Sequence, residues 1–400
     1  MSAPIPSVSI DRPTPSSGDR FALFALGFRP FYLLAASYAA VAVPIWIAIH
    51  TGHAASGLRI APLQWHMHEM VFGFAVAVLT GFLLTAAHRW TGRPTPTGRR
   101  LAALAAIWIG ARALFQAGLV YAGVALDSLF LVLVALALAR MVFGAGNRRN
   151  YFVVGVFALL AMLDAWFAIA VASGGTIDPN TPLRAALYLV VVMTSIFGGR
   201  VIPAFTGNAL PGVRIVSRPR VAMLALILTA LALFLELAPV PGPMQAALCA
   251  AAAIAHLVRM AGWSSFRTLA RPLLWVLHIG YAWTAIGLGL MAAASLGLVA
   301  RPLAIHAFAI GTIATLIIGM ITRTALGHTG RALHAGRAET AMYVAISLAA
   351  LVRVGGGLLP PSAYLASLVA SGVLWSLGFG LYALVYWPRL AGPRVDGRPG

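Results

Sequence analysis

Apolar residues in this chain do not alternate, nor do they recur on one face of an otherwise polar helix. They run on in long blocks, cut by short loops of arginine, proline and glycine. A bilayer span takes about 20 such residues. Twelve blocks approach that length: 31–49, 66–87, 101–119, 121–143, 151–173, 184–205, 221–238, 244–261, 272–296, 303–326, 339–358 and 363–387. The pattern predicts an all-α, polytopic membrane protein, a bundle of about twelve transmembrane helices built as one domain over 21–390. Residues 1–20 are rich in Pro and Ser, lack the apolar core of a signal peptide, and read as a disordered cytoplasmic tail. Residues 391–400 read as a second cytoplasmic tail, and 21–31 as an interfacial stretch before the first span.

Composition strengthens this reading. The 400 residues are 61% hydrophobic and only 9% charged, with mean hydropathy +0.91, whereas soluble domains carry about a quarter charged residues. The partner is therefore a lipid bilayer. A net charge of +19 would suit nucleic acid, but that function needs a basic face with stacking aromatics. Here every basic residue is an arginine in a short loop or tail, with four exceptions inside spans, so no nucleic-acid partner is expected. With the N-terminus inside, the tails and even loops hold twenty-one arginines and the odd loops only Arg59, Arg184 and Arg301. That bias places both termini in the cytoplasm and the chain in a cytoplasmic membrane. The single cysteine, Cys249, excludes an intrachain disulfide and a thiolate metal motif.

Polar groups inside the blocks are where function is sought, because they are costly in lipid. The stretch Gln64-Trp-His-Met-His-Glu-Met-Val-Phe-Gly-Phe74 opens the second span with two histidines and a glutamate near the outer face. His306 opens the tenth span at the same depth. His66, His68 and His306 are thus candidates to surround one cofactor, with a haem iron taking imidazole ligands. His66 and His68 stand about 200° apart on a helix, so both cannot face one metal; Met70 shares the His66 face, and Glu69 is placed to orient an imidazole. A second group lies toward the cytoplasm: His256 and His278 face each other across a short loop, Tyr281 follows on the His278 face, and His328 and His88 end their spans on that side. Imidazoles without thiolate suit copper, zinc or iron, so His256, His278 and His328 are metal candidates. Interhelical hydrogen bonding is the alternative for any one of them. His50, His53 and His334 read as surface residues.

Arg112 and Asp127 lie at one depth across the short loop between spans 3 and 4 and are expected to pair; a haem propionate is the alternative partner for Arg112. Gly198-Gly-Arg-Val-Ile-Pro203 is expected to break span 6 near its inner end, aiming Arg200 at an anionic group. Arg323 and His328 are expected near the depth of Arg200. A short likeness between Ala270-Arg-Pro-Leu273 and Ala300-Arg-Pro-Leu303 is taken as chance. No phosphate loop, serine triad, zinc-protease pattern or acid pair set for hydrolysis is present.

Several motifs, in order, resemble the NnrS family: Gly27-Phe-Arg-Pro-Phe31, Trp65-His-Met-His-Glu-Met70, Trp90-Thr-Gly-Arg-Pro94, Gly199-Arg-Val-Ile-Pro-Ala-Phe205, Asn208-Ala-Leu-Pro-Gly212, Leu277-His-Ile-Gly-Tyr281 and Gly327-His-Thr-Gly-Arg331. The resemblance implies a bacterial inner-membrane protein containing haem and copper, associated with denitrification and with tolerance of nitric oxide and nitrosative stress. Carried onto this chain, it implies ligands among His66, His68, His278, His306 and His328. The layout is also similar, at the level of fold alone, to the haem–copper oxidase core, although span 7 holds no histidine. The expected function is haem and copper binding in the handling of nitric oxide or iron-nitrosyl species. The alternatives are a transporter of a nitrosylated complex or other small solute, and an assembly factor for denitrification enzymes.

Overall fold

A computed structural model describes residues 21–55 and 57–398; the tail over 1–20 lies outside them. The described residues form helices only: α1 (Phe28–His50), α2 (Pro62–Thr91), α3 (Gly98–Gln116), α4 (Val120–Val142), α5 (Phe152–Ala172), α6 (Asn180–Ala209), α7 (Pro219–Leu235), α8 (Gly242–Ala261), α9 (Pro272–Ser295), α10 (Arg301–His328), α11 (Arg337–Gly356) and α12 (Pro361–Ala391). Ten of these are long and apolar enough to cross a membrane. The other two expected spans are α3, which carries Arg99, Arg100 and Arg112, and the shorter α7. Proline sits in the first turn of α2, α7, α8, α9, α10 and α12. There its missing N–H has no helical partner to lose and its fixed φ suits the helix. Outward positions such as Leu129, Val132 and Leu136 on α4, or Met162, Trp166 and Ile169 on α5, are exposed at helical spacing. They make the lipid-facing side of the bundle.

Counted along the chain, the twelve helices make three consecutive runs of four, and the sequence carries a short repeat at that spacing. Pro62-Leu63, Pro182-Leu183 and Pro302-Leu303 recur every 120 residues, each in the first turn of the second helix of its run. Four positions later stand His66, Ala186 and His306, and at the far ends of the same helices His88, Asn208 and His328. The short likeness between 270–273 and 300–303 marks only two proline-led helix starts; the repeat that organises the fold has the longer period. Together α2, α6, α9 and α10 are the most enclosed of the ten.

One expected break is not there. The helix α6 runs on through Pro203 to Ala209. Proline frees the Gly199 carbonyl one turn back; a further turn back the Ser195 carbonyl accepts from Arg259 Nη1 at 3.3 Å, and the guanidinium packs against Gly199, in space a Cβ would occupy. The arginine of α8 thus packs on α6 one turn before the proline. Gly199→Ala should force that guanidinium away and lower stability by about 1–3 kcal/mol; a thermal unfolding midpoint in detergent equal to that of the unaltered protein would contradict this.

Candidate metal and cofactor centre

The start of α2 sends neighbouring side chains to opposite sides. After His68 the helix widens into a π segment, Glu69–Ala75, and after His306 the helix α10 does the same over Ala307–Ala314. Such segments concentrate at functional sites because they shift the register of the faces above and below them. In α10 the loosened carbonyls gain hydroxyl donors: Thr312 Oγ1 reaches Ala307 O at 3.5 Å and Thr315 Oγ1 reaches Ile310 O at 3.2 Å.

Between α1, α2, α6, α10, α11 and α12, at the arginine-poor end of the bundle, is a cavity of about 640 Å³. Its walls are mostly apolar, among them Met70, Phe74, Leu187, Ile310 and Trp375. Its polar groups are few. His66 stacks on Trp46 at 4.2 Å between ring centres, and Trp46 stacks in turn on His50. His50, exposed at the end of α1 as expected, also lines the cavity mouth. Among the described residues no hydrogen-bond partner meets either His66 ring nitrogen, and Nδ1 is buried. His306 is held differently: its Nδ1 lies 2.7 Å from the Pro302 carbonyl. A carbonyl only accepts, so Nδ1 carries the proton and Nε2 keeps a free lone pair. Arg184, Arg301 and Arg353 also line the cavity. Glu236 ties Arg301 and Arg184 together at 3.1 and 3.3 Å and accepts from Tyr188 at 2.7 Å. Arg353 donates to Tyr364 at 3.2 Å.

His68 points the other way, into a closed polar cluster. Its Nδ1 is 3.0 Å from Glu69 and its Nε2 2.9 Å from Asp164, with Asp127 at 3.9 Å. Glu69 and Asp127 both pair with Arg112, so the arginine and aspartate expected to pair across the α3–α4 hairpin do so, and Arg112 lies in this cluster, away from the cavity. Tyr38 donates to Glu69, and Ser128 to Asp164 at 3.1 Å. Gly73 is required beside them. A Cβ there would stand 2.8 Å from the Tyr38 ring, 3.0 Å from Glu69 Oε2 and 3.1 Å from Arg112 Nη1.

The histidines toward the other end are satisfied by hydroxyls. His278 bonds Thr206 and Ser265, each at 2.9 Å. His256 bonds Thr229 and Tyr281, each at 2.8 Å, and Tyr281 accepts from Arg259 at 2.8 Å. Because Thr206 and Thr229 donate to backbone carbonyls, their oxygens accept from the rings. Each imidazole is then neutral with both nitrogens engaged. His328 lies tilted against Phe28 with ring centres 5.2 Å apart, and His88 bonds the Arg93 carbonyl at 2.7 Å. Among the described residues, His256, His278 and His328 form no group within ligand distance of one another. Arg323 lies over Phe205 at 4.1 Å, whereas Arg200 reaches Asn150 at 3.4 Å and Phe152, so the two arginines serve different helix contacts. We expect His256→Ala to cost about 1 kcal/mol through its lost interhelical bonds and to leave any bound haem in place; loss of haem in that variant would contradict the arrangement.

Sequence reasoning singled out His66, His306, Met70 and Glu69. It gave no role to Asp164, Tyr38, Ser128, Arg353, or the Glu236 bridge. The available signal was that Asp164 and Glu236 are ionisable groups inside apolar blocks.

The motifs along the chain and its bundle meet in one comparison. The family described as "NnrS protein" matches residues 22–394. The chain belongs to the NnrS family. No curated protein matches it. As an NnrS protein it is a multi-pass membrane protein of a family associated with the response to nitric oxide. The family match spans the cavity, the His68 cluster and all the histidines in the membrane-spanning helices.

Proposed function

We propose that this NnrS protein binds haem in the large cavity, between His66 and His306, and uses it to bind nitric oxide that has dissolved in the membrane. The observation that carries this is the cavity itself. It is of ligand size, dry-walled, and faced by two imidazoles from helices related by the internal repeat. Such sites are apolar hollows with a few placed polar groups. The unpartnered His66 ring fits a metal ligand. Arg353, which lines the cavity and meets no carboxylate among the described residues, fits a carboxylate side chain of a haem.

The two histidines have unequal roles. The Pro302 carbonyl fixes the His306 ring and tautomer and raises its basicity, the usual support of a permanent ligand. His66, held only by stacking on Trp46, is the ligand free to give way. When bound, haem would supply an iron able to take a small ligand such as nitric oxide, and His306 and His66 are the residues that would hold it. The chain's part is to hold that position in a water-poor pocket and to anchor one side of it. The positive-inside bias supports a cavity mouth on the periplasmic side of a bacterial inner membrane.

Copper remains part of the proposal as a second metal, but His256 and His278 already spend both nitrogens on hydroxyl partners. The test is to add nitric oxide to the reduced, purified protein and record its absorption. A shift of the Soret band is expected. A haem-loaded protein with no shift would refute the assignment to nitric oxide, and solute uptake into liposomes that needs no metal would favour transport.

A further inference from the structure

The cluster around His68 is short of positive charge. Glu69, Asp127 and Asp164 are at most 2% exposed, and the arginine paired with them is Arg112. Three carboxylates face one guanidinium and the His68 ring; with that ring neutral two negative charges stay unbalanced inside a membrane bundle, and with it protonated one does. The remaining neighbours are Tyr38, Ser128 and the rings of Phe72, Phe115 and Phe167, none of them cationic. Buried charge without a partner is strongly unfavourable.

The ring geometry is specific. Glu69 accepts from His68 Nδ1, and is itself held by Arg112 and Tyr38. With the proton on Nδ1, the Nε2 lone pair faces Asp164 Oδ1 across 2.9 Å. Two lone pairs at that distance repel unless a proton or a metal ion lies between them. A carboxylate fixing one nitrogen so that the other can ligate is the usual support of a metal-bound histidine. Asp127 supplies a third donor 3.9 Å from Nε2.

We propose that His68 Nε2, Asp127 and Asp164 bind one divalent transition-metal ion, with Glu69 as the positioning residue. One dication cancels the two charges left when the ring is neutral, taking the place of the ring proton between Nε2 and Asp164. Mixed imidazole and carboxylate donors suit first-row ions, which sit about 2.0–2.2 Å from such atoms. The site is separate from the haem cavity: His66 and His68 leave α2 on different sides, so one turn of helix serves two centres. The proposal stands whether or not the cavity holds haem.

The test uses the full-length protein in detergent, stripped with a chelator and dialysed against Zn²⁺. We expect about one tightly held zinc per chain, with affinity reduced about 10-fold or more in Asp164→Asn, Asp127→Asn and Glu69→Gln. Haem content, read by absorption on the same samples, reports on the cavity independently. Pulsed electron paramagnetic resonance of the unaltered protein loaded with Cu²⁺ should show a single imidazole nitrogen set, which decides the matter even if the variants do not fold. Retention of no zinc by the unaltered protein overturns the proposal, as does full retention by Asp164→Asn or a copper signal with no imidazole or several. The first result would mean that two protons balance the cluster instead.

Discussion

Arg112→Leu should yield no assembled protein. The guanidinium pairs with Glu69 and Asp127 at once, and both carboxylates are cut off from solvent. Breaking a buried pair from one side costs about 3–5 kcal/mol, because the other charge is left uncompensated. A whole domain is stable by only about 5–15 kcal/mol. Removing a partner as well should help: Arg112→Leu with Asp127→Leu takes away one of the two stranded carboxylates and should recover part of the yield. Arg112→Lys keeps the charge but not the fork that reaches two acids, and should fall between. Size-exclusion profiles of detergent extracts measure all three. An Arg112→Leu protein with a native profile and unchanged melting midpoint would show that the cluster is not held by this pairing.

Ala309→Trp should abolish haem binding without unfolding the protein. Ala309 lines the cavity on α10, one turn beyond His306 and only partly buried. An indole there grows into empty volume, so the overpacking cost of a filled core does not arise. The space a planar ligand needs is lost, while both imidazoles remain. We expect haem per chain to drop by about 10-fold or more, a change of about 1.4 kcal/mol or more in binding, with the thermal midpoint of the ligand-free protein retained. Full haem occupancy in this variant would place the cofactor somewhere else.

Much of the fold was legible from the length of the apolar blocks alone, because in lipid every backbone polar group must be satisfied within the helix. The ends were less so. The helix α6 passes Gly198, Gly199 and Pro203, which locally argue for a break. The side chain that packs on this stretch is Arg259, from a helix about sixty residues away. The 120-residue repeat went unread because only a proline-leucine pair and a few polar positions still mark it.

For the site, spacing gives depth and angle but not the neighbour each ring meets. The 200° between His66 and His68 correctly separated them, and depth grouped His66 with His306. His256 and His278 share a depth in the same way, yet their rings end on Thr229, Tyr281, Thr206 and Ser265, and no spacing rule announces that. Asp164 became meaningful only when α5 was seen beside α2. Nothing in residue type announces the two π segments, although each begins right after a key histidine.

The most direct measurement is the haem content and spin state of the purified protein beside its His66→Ala and His306→Ala variants, by absorption and pyridine haemochrome. The account predicts about one haem per chain with two imidazole ligands, lost in His306→Ala, and kept but with an open axial position in His66→Ala. Unaltered protein without a Soret band, or a His306→Ala variant with a native spectrum, would contradict it.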